Sequence, residues 1–161
     1  MSSTERHLEY ARGFLALGLL AEASDELEAI QGKDRLLPEV MAVRCDLYME
    51  AKQWDLLIAV ARELASLKPD GEQGWIHWAY GLRELNRVAE AKAVLLEAEP
   101  RFWKSCALLH YNLACYCCLL GESEETKKRL AIACKMNPPF KEAALDDPDL
   151  KAMWDELASM K

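Results

Sequence analysis

HYNLACYCCLLG, residues 110–121, has a counterpart near the other end of the chain in HLEYARGFLALG, residues 7–18. With Gly18 set on Gly121, Tyr10-Ala11 falls on Leu113-Ala114 and Phe14 on Cys117. Beyond the glycines, Ala23, Leu27 and Ile30 fall on Thr126, Leu130 and Ala133. The residue types change and the spacing does not, so what recurs is a set of packing positions. Each copy reads as two amphipathic helices joined by a turn, and a unit of that size buries its apolar face only by stacking on its neighbours.

The same frame finds two further copies between these. The second starts at Pro38 and carries Met41, Arg44-Cys45, Tyr48, Leu57, Ala61 and Leu64, closing with Pro69. The third starts at Glu72 and carries Trp75, Trp78-Ala79, Leu82, Ala91, Leu95 and Ala98; the fourth, from Ala107, closes with Pro138. This pattern resembles the tetratricopeptide repeat, W-x2-L-G-x2-Y, then A-x3-F, then P, over about 34 residues. The resemblance implies an all-α, right-handed α-solenoid of helix-turn-helix repeats at about 4–37, 38–71, 72–106 and 107–140, with a C-terminal capping helix in 141–161.

Small residues at Ala11, Cys45, Ala79 and Ala114 suit the points where the first helix of a pair must approach its neighbours closely. Gly18, Asn86 and Gly121 fall at the turn between paired helices, where a left-handed backbone is expected. Lys52 takes that place in the second repeat, which predicts a less regular turn there. Pro100 lies three positions before the proline of the pattern and is followed by Arg101-Phe102-Trp103, which predicts an early end to that helix and an irregular link. Gly32-Lys33-Asp34 reads as a glycine stop and a short loop. After the fourth repeat, Asp147 reads as an N-cap with Pro148 in the first turn, and Leu150, Met153, Trp154 and Leu157 form the stripe of a capping helix.

Composition narrows the function. With 27 acidic and 20 basic residues the net charge is -7 and the pI about 5.1, which repels phosphate backbones and anionic membranes, so neither nucleic acid nor membrane is expected as a partner. The N-terminal residues carry charge where a signal peptide needs an apolar run, and no stretch reaches the length of a spanning helix; the expectation is a cytoplasmic protein with six free thiols.

Cys115, Cys117 and Cys118 beside His110 invite a metal or thiol reading. His110, Leu113, Ala114 and Cys117 share the signature face of their helix, whereas Cys115 and Cys118 lie with Tyr111 on another. Ligands of a structural zinc converge tetrahedrally, and thiols spread around one rigid helix do not. Three histidines, His7, His77 and His110, show no nucleophile paired with a base, and the usual phosphate-binding, zinc-hydrolase and serine-hydrolase motifs are missing from the sequence. Asp146, Asp147 and Asp149 lack the length and the closing glutamate of a calcium loop. The expectation is no catalytic residue, no metal and no cofactor.

The resemblance implies protein–protein interaction, with an extended peptide or partner helix held in a concave groove lined by the first helices. On this frame the groove residues are Arg12, Asp46, Ile76, Tyr80, Arg83, Tyr111, Asn112 and Cys115, with Tyr80 and Tyr111 on one wall as anchors. Some relatives clamp a C-terminal carboxylate with lysines and asparagines; Leu8, Val43, Ile76 and Asp46 stand at comparable places here and only Asn112 matches, so that mode is not expected. Two alternatives stay open: self-association, through the Phe102-Trp103 link, without a free groove, and a thiol or metal protein using the cysteine cluster.

Overall fold

The computed structural model describes residues 1–159. The chain divides into two compact units, Met1–Leu85 and Asn86–Lys161, and the division falls in the turn of the third repeat of the sequence frame. Among the described residues there is no strand.

The first unit holds α1 (Ser3–Ala16), α2 (Leu20–Ala29), α3 (Pro38–Glu50), α4 (Trp54–Leu67) and α5 (Glu72–Glu84). A capping box opens α1: the Ser2 hydroxyl accepts from the Glu5 amide and the Glu5 carboxylate from the Ser2 amide, so the orphan donors of the first turn find partners. Helices pack as sequential neighbours, α1 on α2, α3 on α4 and α4 on α5. One apolar cluster joins Leu8, Ala11, Ala23, Leu27, Ile30, Val40, Val43 and Leu47; a second joins Met41, Cys45, Leu57, Ala61 and Leu64, with Trp54 and Trp78 packed against it.

Arg44 occupies an apolar position of the frame and is nevertheless buried. Its guanidinium donates to the Leu27 carbonyl at the end of α2 (3.1 Å) and to Glu28 (2.9 Å), so the charge is desolvated only together with its partners. Hydrogen bonds from Arg35 and then Arg44 hold the Glu28 carboxyl below its ordinary range. Where α5 crosses α4 the backbones nearly touch. A Cβ on Gly74 would stand 2.6 Å from the Ala65 amide nitrogen, and one on Gly81 would stand 2.8 Å from Ile58 Cγ1.

The second unit holds α6 (Val88–Phe102), α7 (Ala107–Leu119), α8 (Ser123–Met136), α9 (Phe140–Ala144) and α10 (Trp154–Ser159), with a 3₁₀ turn at Pro148–Met153 before α10. α7 lies against α6, α8 and the 3₁₀ turn. It is therefore buried nearly all round, from Leu109 to Cys118 apart from half-buried Asn112. His110 is fully buried; Nε2–H donates to the Trp103 carbonyl (2.8 Å) and its ring meets the Trp103 indole edge-on (4.9 Å, 89°). Arg129 pairs with Glu99 and Glu125 and lies over the same indole (5.7 Å).

Four sequence expectations need correction. α6 does not end at Pro100: it continues to Phe102. Proline removes its own N–H and frees the carbonyl four residues back, but Pro100 and Leu96 are both exposed, so water reaches that carbonyl, while Phe102 buries its ring and draws the last turn inward. The Lys52 turn is as regular as the others, with φ of 54° beside 72°, 60° and 78° at Gly18, Asn86 and Gly121. The stop after α2 is followed by a 3₁₀ turn at Gly32–Leu36 rather than a plain loop, with Gly32 left-handed at φ 63°. The expected single capping helix is three short pieces, because Asp147 and Pro148 start a tighter 3₁₀ turn; its last two residues, 160 and 161, lie outside the described residues.

Candidate functional site

Arg12, Asp46 and Tyr80 hold one and the same frame position on α1, α3 and α5, so the three helices present them along a common face of the first unit. Arg12 and Asp46 are exposed and Tyr80 half-buried, with its ring tilted against Trp54 (5.9 Å, 55°). Ile76 is buried beneath this face and Arg83 is half-buried at the end of α5.

A cleft of about 330 Å³ opens here, lined by Arg12, Leu15, Asp46, Met49, Glu50 and His77. A second, of about 360 Å³, runs from Arg12 past Glu39 and Ala42 to Gln73 and Gly74. Gln73 Nε2 bridges the two, donating to the Ala42 carbonyl (3.2 Å) and to Asp46 Oδ1 (3.1 Å). Loss of solvent on the cleft side raises the Asp46 carboxyl, although the residue as a whole is exposed; the Arg12 charge and the Gln73 hydrogen bond oppose that shift. His77 Nδ1 is buried with no hydrogen-bond partner, and burial holds the imidazole below its ordinary value, so it is neutral near pH 7. The sequence alone does not single out His77. Its signal was its place in the frame, the one Asn112 holds in the fourth repeat, and that place lines the cleft.

The corresponding face of the second unit is closed. Tyr111 is buried, its ring stacked on Phe140 (4.5 Å, 22°) and its hydroxyl donating to Asp147 Oδ2 (2.8 Å). Cys115 is buried beside it, its thiol donating to the same oxygen (3.7 Å), and Leu150 and Met153 of the 3₁₀ turn cover the region. Tyr111 and Cys115 were expected on an open groove wall; residues 140–153 fold back over them, because an apolar face this large gains more from burial than from exposure. Asn112 is half-buried. The Phe102-Trp103 link is likewise built into the unit: Phe102 is buried, and Trp103 keeps 44% of its surface while held by His110 and Arg129.

The six cysteines are free thiols, and all but Cys134 are buried. Burial pushes Cys45 up to about 12 and Cys117 to about 11, against an ordinary 9.0, and raises Cys115 further, the Asp147 carboxylate adding to the effect there. Such thiols stay protonated and unreactive. Among the described residues one trio, Cys115, Asp147 and Asp149, has ligand atoms within 4.8 Å of one another. Asp147 already accepts from Tyr111, Cys115 and the Asp149 amide (3.0 Å), so its oxygens are committed to holding the turn. Among the described residues no helix is long and apolar enough to cross a membrane.

No protein-family model matches the chain, and no curated protein sequence matches it. Solved structures do. A crystal structure of MamA superposes with a TM-score of 0.78 at 14% identity, covering 97% of this chain and 86% of MamA. PilF of Pseudomonas aeruginosa superposes at 0.79 with 16% identity, over 96% of this chain and 69% of PilF. A thermophilic TPR protein of Thermus thermophilus gives 0.72 at 19% identity, over 96% of this chain and 80% of its own. The fold is the tetratricopeptide-repeat α-solenoid. At these identities the likeness fixes the arrangement of helices and leaves the side chains to be read from this chain. Within that fold the face made by first helices is the one carrying Arg12, Asp46 and Tyr80, and Tyr111 and Cys115 stand on its equivalent in the last repeat.

Proposed function

We propose that this tetratricopeptide-repeat protein is a binding module rather than an enzyme, and that its first unit holds an extended peptide segment of a partner protein. The four-repeat division at 4–37, 38–71, 72–106 and 107–140 is part of this reading. The observation that carries it is the pair of adjoining clefts along α1, α3 and α5, bridged by Gln73 and lined by Arg12, Asp46, Glu50 and His77. Three successive helices supply polar groups of both signs beside Leu15 and Met49, which suits a ligand that runs across the helices and is read at several side chains. Asp46 supports the same reading: a carboxylate kept where its ionisation is disfavoured costs stability, and such costs are usual at binding sites. Tyr80 and Arg83 line the α5 side of that peptide, Tyr80 as its aromatic anchor, with Ile76 buried beneath them as part of the floor. Free thiols throughout agree with a reducing, cytoplasmic setting.

The test is capture of partners from the source cell's lysate by the whole chain and by the charge-reversed variant Arg12→Glu with Asp46→Lys. The expected result is a defined partner held by the parent and lost by the variant, with the two melting within a few degrees of each other. Equal capture by both would remove the first unit's clefts from the account. Concentration-dependent light scattering on the same samples separates partner binding from self-association.

A further inference from the structure

The segment that closes the second unit is built like a bound ligand. Asp147 presents one carboxylate oxygen to the Tyr111 hydroxyl and the Cys115 thiol, and uses the other to cap its own turn through the Asp149 amide. Leu150 and Met153 follow at the third and sixth positions, where the threefold period of a 3₁₀ turn sets them on one side, and both are buried. The acceptor face is α7, at the frame positions that carry Ile76 and Tyr80 in α5 and Asp46 in α3.

The segment's own structure is weak. It consists of a six-residue 3₁₀ turn and a six-residue helix, lengths that do not persist in water without a surface to lie on. Trp154 donates to Ala144, which lies in the same C-terminal stretch, and so does not tie the segment to α7. The outer ion pair, Lys127 with Glu156 (2.8 Å), is partly exposed, and such pairs add little. The Asp147 carboxylate, the buried Leu150 and Met153 side chains and a hydrogen bond between the Cys118 thiol and the Ala152 backbone hold the segment to α7, while α7 and α8 are locked by the core beneath.

We propose that the α7 face bearing Tyr111, Cys115 and Cys118 is a peptide-binding site whose ligand is the acidic-aliphatic segment 146–157, supplied in cis within one molecule and exchangeable with the same segment of a second copy of this chain. Docked in cis the segment benefits from a high local concentration, so in the parent chain the site is closed. Weakening the cis contact opens it without altering the receptor face. Exchange between copies reuses the same contacts, which is why it needs no new surface.

The probe is a labelled synthetic peptide spanning Asp146–Leu157, titrated against the full chain and its Leu150→Ala variant by fluorescence anisotropy. The variant is expected to bind the peptide at least tenfold more tightly than the parent. A peptide with asparagine at the Asp147 position, and a chain carrying Tyr111→Phe as well as Leu150→Ala, should each bind several-fold more weakly. A helical Leu150→Ala chain that fails to bind, or a scrambled peptide that binds equally, overturns the proposal. Should Leu150→Ala not fold, hydrogen exchange on the parent decides. Amides of 149–157 are expected to exchange well before those of α7, and equal protection of the two overturns the proposal.

Discussion

Arg12, Asp46 and Tyr80 in the first unit and Cys115 in the second hold one and the same place in the repeat frame, yet Arg12 and Asp46 line an open cleft, Tyr80 lies half-buried against Trp54, and Cys115 is buried under the chain's own C-terminal segment. The difference starts with side-chain chemistry. Charged and amphipathic groups at that position are content in water and leave a polar trough; Tyr111, Cys115 and Cys118 together make an apolar patch that must be covered by something. A repeat frame therefore assigns a face to each helix, but the residues on that face decide whether it stays open.

The sharpest way to probe the contrast is a pair of equal truncations. Leu27 in the first unit and Leu150 in the closing segment are both completely buried. Leu27→Ala should cost about 2–5 kcal/mol of unfolding free energy, as for a leucine in a packed core. Leu150→Ala should cost distinctly less in denaturant unfolding, because a segment that detaches alone limits the loss to its own docking energy. Equal losses would make the segment part of the cooperative core and break the comparison.

Next in size is Gly74→Ala, which forces a methyl group against the Ala65 backbone. It should destabilise by about 1–3 kcal/mol despite the better helix propensity of alanine. The turn residues come after it. Lys52 adopts the left-handed backbone that Gly18 and Gly121 adopt freely, so Lys52→Gly should stabilise by about 1 kcal/mol and Gly121→Ala should destabilise by a similar amount. Nothing lies within 4 Å of the Cβ that Gly121→Ala would add, so its effect isolates the backbone cost.

These turns also show how much the sequence disclosed. The frame placed Gly18, Lys52, Asn86 and Gly121 at the turns between paired helices, where all four are left-handed, since period is local and leaves a direct trace; among these turns it misjudged only the regularity of the one at Lys52. It misjudged Pro100, because whether a proline ends a helix depends on which side its freed carbonyl faces, and that is a tertiary fact. It placed Tyr111 and Cys115 on the correct face of their helix and missed that residues 140–153 would fold back onto them: the length of the return path through α9 and the 3₁₀ turn has no repeat to reveal it. That Arg12, Asp46 and Tyr80 share one helix face is legible from register alone. His77 was not, because its role arises from the joining of three helices around one cleft.

The smallest effects belong to titration. Burial holds His77 below its ordinary 6.5, so the unfolded chain takes up that proton more readily than the folded one. The stability it supports is complete above about pH 6.5 and declines as pH falls toward the lower native value. His77→Gln should flatten that part of the pH–stability profile. Asp46 has the opposite sign, since its carboxyl is raised: the native state gains most at low pH, and the advantage is lost as pH rises through the native value. Asp46→Asn should therefore raise the melting temperature slightly at neutral pH while weakening partner binding, a combination that a purely structural residue does not give.

The contrast between an open and a closed face is tested most directly by photo-cross-linking. A photoreactive residue is introduced at Glu39, exposed at the edge of the open cleft, in one preparation of the full chain and at Asn112 in another, and each is irradiated with the same captured partner. A cross-link to the partner is expected from position 39 and none from position 112, half-buried beside Tyr111 in the unit whose face is closed. Cross-linking to the partner from position 112 alone would contradict that contrast.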